Sequence, residues 1–398
     1  MPKTGVTHSF QAAALLPMAA EAEPVLLARL RRLVEIESPS HDFAAVHRCM
    51  EAAEEMATRL GATARRHRSK ISADVLELRF ASRKKGRPLL LLGHLDTVWP
   101  MGTLAKMPYR HAPKDGEERG DERICGPGVL DMKSGVAMAL TALEMLQQAE
   151  LLQRPVTLLL VGDEEVGSQF SRPITERLAQ QSSAVFVLEP AQGMVGAYKT
   201  SRKGVGDYTL RVEGVAAHSG LDFTSGHSAI HELAHQIEKI REFTNLKRGI
   251  TVSAGVIRGG SARNVIAAHA EADVDVRVTR AADAVRIDRQ FQKLRPRDSG
   301  CVLSIDGGVN RPPMERSQGT VTLFRQAQKL ARELGFALGE AASGGGSDGN
   351  FTAALGVPTL DGMGAVGEGA HAVHESVVRR HLAPRTALLA AMIASAER

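Results

Sequence analysis

The run Leu89-Leu90-Leu91-Leu92-Gly93-His94-Leu95-Asp96 constrains this chain more than any other stretch. Four consecutive leucines cannot offer a polar face, so they read as a strand buried on both sides, as in a parallel sheet between layers of helices. Beyond Gly93 the chain presents His94 and Asp96. They are two residues apart and so lie on the same side of an extended backbone. In open α/β sheets ligands bind beyond the carboxyl ends of the strands, which is where this pair stands.

The same arrangement recurs. Residues 156–161 form a second apolar run, followed by Asp163-Glu164-Glu165. Residues 184–188 form a third, ending in Glu189-Pro190. Three adjacent carboxylates repel one another, and a compensating cation is expected. Between these strands, Gly126 to Gly135 carries Asp131 to the start of a strong helix over 134–148. Apolar residues at helical spacing predict further helices over 23–36, from about 42 to 60, over 320–334 and over 384–396. Residues 73–80 alternate like a strand, and 97–121 read as a long polar connection.

From about residue 204 the texture changes. Residues 208–212, 252–257 and 272–278 alternate like half-buried strands, interleaved with helices over 228–242 and 282–294. This βαββαβ pattern predicts a smaller α+β domain, 204–308, inserted into a discontinuous α/β domain made of 1–203 and 309–398. A length of 398 residues also exceeds one ordinary core.

The bulk properties exclude several classes. Aromatic residues are 4% of the chain and the net charge is only +5, so a basic-aromatic surface for nucleic acid is not expected despite a pI near 9.2. Cys49, Cys125 and Cys301 are odd in number and far apart, against a disulfide scaffold or a cysteine zinc site. No apolar stretch is long enough for a membrane span. A reducing, cytoplasmic setting is the expectation. A cleaved leader is the alternative, because Ala19-Ala20-Glu21-Ala22 has a small-x-small character.

His94, Asp96, Asp131, Glu164, Glu165, Glu189 and His371 thus collect at strand ends and glycine-rich turns. Singly, each has an ordinary reading as a structural histidine or a helix cap. Together, imidazole and carboxylate suit a borderline divalent metal, most commonly zinc. The set is sufficient for two ions: two histidines, a bridging aspartate, two terminal glutamates and a glutamate left over as base. Asp96 would then orient the His94 ring.

These motifs, in this order, resemble those of the co-catalytic zinc aminoacylase and carboxypeptidase family, which includes acetylornithine deacetylase and succinyl-diaminopimelate desuccinylase. Residues 94–99 and Gly344-Gly345-Gly346-Ser347-Asp348 are most similar to its glutamate carboxypeptidase, G-type branch. The resemblance implies a catalytic α/β domain, with a mainly parallel sheet flanked by helices, and an inserted ferredoxin-like dimerisation domain. It implies two Zn2+, replaceable by Co2+ or Mn2+, with Asp131 bridging, His94 and Glu189 on one ion, and Glu165 and His371 on the other. His374 is the alternative to His371. It further implies Glu164 as the general base for a metal-bridging water and His218 as an oxyanion donor reaching a partner subunit's active site. Asn264 and Arg277 would grip the substrate carboxylate, with Gly345 and Ser347 beside them; Arg277 has a second reading as a salt-bridge partner within its strand. The implied activity is hydrolysis of a small peptide to release a C-terminal residue, glutamate first, by a homodimer without nucleic-acid or membrane partners. An N-acyl-amino-acid deacylase is the alternative within the class. An inactive metal-binding scaffold is the alternative outside it, but the presence of Glu164 and Asp131 disfavours it.

Overall fold

The computed structural model describes residues 11–82, 84–113 and 122–395, divided into two compact units. The first comprises Met1–Thr200, Arg316–Ala342 and Phe351–Arg398; the second comprises Ser201–Glu315 and Ser343–Asn350. The glycine-rich segment 343–350, which the sequence reading left in the larger domain, therefore groups with the smaller unit.

The larger unit is built on a six-stranded sheet. Its order is Thr63–His67, Val75–Phe80, Val156–Val161, Leu89–His94, Ala184–Val187, Thr359–Leu360. Leu89–His94 runs parallel to both neighbours, and Thr359–Leu360 is parallel to Ala184–Val187; the other two pairings are antiparallel. The leucine run shows why this strand is central. Leu89 and Leu91 belong to one apolar cluster, Leu90 and Leu92 to another. Both faces are therefore covered, each buried leucine contributing roughly 1.5–3 kcal/mol. Ser134–Gln148 and Leu382–Ser395, both almost wholly buried, belong to the first cluster, as do Leu26, Leu30 and Leu33 of Glu23–Val34. The helix Phe43–Arg59 begins where the Asp42 carboxylate accepts from the Ala45 N–H at 3.0 Å.

Two expectations change. The connection 97–121 is not structureless: it holds the helix Thr103–Lys106 and the strand Arg110–Pro113, which pairs with Glu122–Cys125; residues 114–121 lie outside the described residues. The sheet also gains the strand Thr63–His67, which sequence reading does not predict because it is largely polar, and Arg66 there is ion-paired to Glu54.

The smaller unit has a four-stranded antiparallel sheet in the order Thr251–Gly259, His269–Val278, Gly204–Glu213, Val302–Arg311. With the helices Ala229–Arg241 and Ala281–Gln292 following the first and third strands in chain order, this is the ferredoxin-like topology. Alternate residues of the two inner strands are buried and meet Leu233, Ile240, Ile287 and Phe291 of the helices.

Candidate metal centre

His94 ends its strand with 1% exposure. Its Nδ1 lies 3.0 Å from the Asp96 carbonyl oxygen, which leaves Nε2 to face outward. Nε2 is 3.1 Å from Asp131 Oδ1 and 3.7 Å from Glu189 Oε1. His371, 277 positions after His94, brings Nε2 to 3.4 Å from the other Asp131 oxygen, Oδ2, and to 3.2 Å from Glu165 Oε1. Asp131 therefore turns one carboxylate oxygen to each histidine, and each histidine has a glutamate beside it. Ligand atoms of His94, Asp131 and Glu165 all lie within 4.8 Å of one another. This donor set suits zinc or a similar divalent ion.

Electrostatics mark the same atoms. Burial alone would lower the His94 pKa, but Asp131 and Asp96 outweigh it and hold the ring well above its usual value. Asp131 and Glu165 push His371 up to about 10 against the effect of partial burial. Burial would raise the Asp131 pKa, yet His371 and His94 hold its carboxyl far below the usual range. The carboxylates thus stabilise positive charge at the two ring nitrogens, as they would stabilise a cation.

Local structure explains how each group is aimed. Asp131 sits in extended backbone (φ −110°, ψ 96°), within a turn between Gly128 and the helix Ser134–Gln148, and its peptide bond to Met132 is cis. Gly128 has φ +71°, and a Cβ there would lie 2.7 Å from Thr97 Cγ2, so the turn needs glycine. His371 adopts φ +62°, in the left-handed region uncommon for a residue with a side chain.

The members of the acidic triplet are held by different partners. Asp163 is buried, and its Oδ2 accepts from the N–H groups of Phe170 and Ser171 at 2.9 and 3.2 Å. Glu165, two residues on, meets His371 instead. Asp96 does more than face the His94 ring, whose Nδ1 is 3.5 Å from its Oδ1. Its carboxylate accepts from Ser40 Oγ at 2.8 Å, Glu165 N at 3.1 Å and Glu164 N at 3.3 Å. It thereby links the end of one strand to the acidic turn after the next. Ser40 reads in sequence only as a turn residue; its partner is 56 positions away. Glu375 is a further residue whose place sequence reasoning misses: its carboxylate holds the Asp131 turn, and only its position four residues after His371 hints at it.

In the smaller unit, His218 and Asn264 come together. Ser219 N donates to the Asn264 carbonyl at 3.0 Å, and His218 bridges to Val265. His218 Nδ1 accepts from Gly220 N and Leu221 N, both at 3.2 Å, which places the ring proton on Nε2 and makes that atom a donor. Arg277 is engaged by Asp275, with Nη2 2.7 Å from Oδ2. Arg311 shares its sheet face, since both are in register with Val205, and its Nη2 is 3.1 Å from Asp348. Ser347 is buried, and its hydroxyl accepts from Gly349 N at 3.1 Å, while the Gly345 carbonyl accepts from Arg202.

Comparison with known proteins agrees with the fold. The profile described as Peptidase family M20/M25/M40 matches residues 90–395. Carboxypeptidase G2 of Pseudomonas sp. (strain RS-16) is 28% identical over 389 residues, 95% of this chain and 91% of that one. Among solved structures, aminopeptidase PepT of Bacillus cereus superposes with a TM-score of 0.74 at 21% identity, covering 94% of this chain and 98% of that one. The Bacillus subtilis YXEP protein, described as a dinuclear metal binding peptidase from the M20 family, gives a TM-score of 0.66 at 15% identity over 94% and 98% of the two chains. A metal-dependent hydrolase is the class these observations define. The chain belongs to the peptidase family M20/M25/M40 and is one of its metallopeptidases. Among the described residues no helix is long and apolar enough to cross a membrane.

Proposed function

We propose that this metallopeptidase uses two zinc ions to hydrolyse the amide bond to a C-terminal amino acid with a free carboxylate, glutamate first. One observation carries the two-ion reading: Asp131 turns Oδ1 to His94 and Oδ2 to His371, with Glu189 beside the former and Glu165 beside the latter. Asp131 would bridge, His94 and Glu189 would complete one site, and Glu165 and His371 the other. The substrate reading draws on carboxypeptidase G2, similar along 95% of this chain.

When bound, the ions supply Lewis-acid polarisation of the scissile carbonyl and acidify water at the site. The chain's own groups then act in order. Glu164, held by its backbone N–H on Asp96, takes the proton of the attacking water and delivers it to the leaving nitrogen. His218 of the partner subunit, with its proton on Nε2, donates to the oxygen on which charge develops. Asn264 and Arg277 bind the free carboxylate, with Gly345 and Ser347 beside them; a guanidinium suits bidentate carboxylate binding, and Arg277 would exchange Asp275 for substrate. The edge strand Thr251–Gly259 is largely exposed and carries Val256 and Ile257 outward. Such an edge calls for a partner, and pairing with the same strand of a second copy would give a homodimer.

The test is amino-acid release from a panel of peptidyl- and acyl-amino acids, on metal-stripped protein and after zinc is restored. Zinc-dependent release centred on C-terminal glutamate or aspartate is expected. Release of another amino acid, from simple acyl donors alone, would make the protein an N-acyl-amino-acid deacylase. Zinc binding with no release from any substrate would favour an inactive relative.

A further inference from the structure

Glu375 is 1% exposed, yet its carboxylate belongs to none of the metal-facing contacts. Its two oxygens are fully engaged otherwise. Oε1 accepts from Leu130 N at 2.8 Å and Asp131 N at 3.0 Å; Oε2 accepts from Gly128 N at 2.9 Å and Trp99 Nε1 at 2.8 Å. One buried carboxylate thus ties together three separate stretches. Trp99 follows the strand end that bears His94. Gly128, Leu130 and Asp131 form the turn that aims the bridging carboxylate. Glu375 itself closes the loop of His371, through Glu375 N to the Ala372 carbonyl and Ala372 N to the Gly369 carbonyl, both at 2.8 Å.

We propose that Glu375 is a positioning residue that locks the loops carrying His94, Asp131 and His371 into one metal-ready arrangement, and that Trp99 reports metal occupancy through it. This rests on the two-zinc reading above. A carboxylate is acceptor-only at both oxygens, which matches a site made entirely of N–H donors. Glutamine has the same shape but offers one acceptor and one NH2, so one end must face N–H groups with N–H groups. The mismatch falls either on Leu130 and Asp131 or on Gly128 and Trp99. In each case the Asp131 turn loses a clamp. Groups that orient metal ligands without touching the metal typically change affinity by about 10- to 100-fold. Trp99 is the only tryptophan in the chain, so its emission isolates this one contact.

The experiment is a zinc titration of the full-length, chelator-stripped protein and of Glu375→Gln. Bound zinc is measured by equilibrium dialysis, Trp99 emission is followed in parallel, and folding is checked by circular dichroism. The wild type is expected to change its emission in step with zinc occupancy. The folded Glu375→Gln protein is expected to bind zinc about 10- to 100-fold more weakly, with emission no longer following occupancy. Glu375→Gln filling at wild-type zinc concentrations overturns the positioning role. Wild-type protein that fills with zinc without any change in Trp99 emission overturns the coupling, and this measurement decides even where the variant fails to fold. A wild type that binds no zinc is a different result: it overturns the metal reading itself, and this inference with it.

Discussion

Gly135 lies one turn from Asp131, on the first turn of a helix that passes against the strand end before Glu189. A Cβ at Gly135 would stand 2.0 Å from the Leu188 carbonyl oxygen and 3.0 Å from both the Leu188 carbonyl carbon and Cβ. Carbon and oxygen in ordinary contact are about 3.3 Å apart, so Gly135→Ala must open this approach by about 1.3 Å. The helix Ser134–Gln148 has almost no exposed side toward which to move. In an open helix, alanine for glycine would be worth about 0.5–1 kcal/mol of added stability. Here overpacking costs about 1–3 kcal/mol, and more where the obstacle is backbone rather than a flexible side chain. We therefore expect a net loss of about 2 kcal/mol. The displaced residue is next to Glu189, so zinc binding should weaken as well. Urea denaturation of the metal-free protein and equilibrium dialysis with zinc measure the two effects. A Gly135→Ala protein as stable as the wild type, with unchanged zinc binding, would refute the reasoning that this glycine sets the distance between helix and metal ligand.

Other substitutions separate the remaining roles. Glu164→Gln should lower kcat by about 10²–10⁴-fold while bound zinc, measured by metal analysis, stays unchanged; a loss of zinc would assign Glu164 to the ligands instead. His371→Ala should lose zinc from one site, whereas His374→Ala should keep both ions, because the ring beside Asp131 and Glu165 is that of His371; the opposite result would exchange the two residues' roles. Ile257→Lys, on the exposed edge strand, should shift the sedimentation coefficient from dimer to monomer; an unchanged dimer would place the interface elsewhere. Chelation should abolish amide hydrolysis and zinc should restore it, and activity that survives complete metal removal would contradict the family's chemistry.

Much of the fold is legible in local pattern. The helix 134–148 and the strand 156–161 fall where periodicity places them, because burial on every side demands an uninterrupted apolar run. The helix at 229–241 follows in the same way from its apolar stripe and its Ser228 cap. The strand Thr63–His67 escaped because it is polar along its length and only its pairing with Val75–Phe80 makes it a strand. Arg277 shows the reverse case. Its partner Asp275 is two residues away on the same face of one strand, a pairing that period-2 geometry alone makes available.

For the site, the sequence by itself determined which residue types stand at the ends of buried strands, since a leucine run must terminate before a charged group can meet water or metal. It also identified the family through the order of those motifs. Only the tertiary structure decided who meets whom. His371 reaches Glu165 across 206 positions and Trp99 reaches Glu375 across 276. Asp163 accepts from the backbone N–H groups of Phe170 and Ser171, and Asp96 holds the turn of Glu164 and Glu165 as well as facing His94. The physical reason is that periodicity records burial, which each residue experiences locally. The direction of a carboxylate depends on donors supplied by distant segments, and these come within hydrogen-bonding range only when the sheet and its loops are assembled.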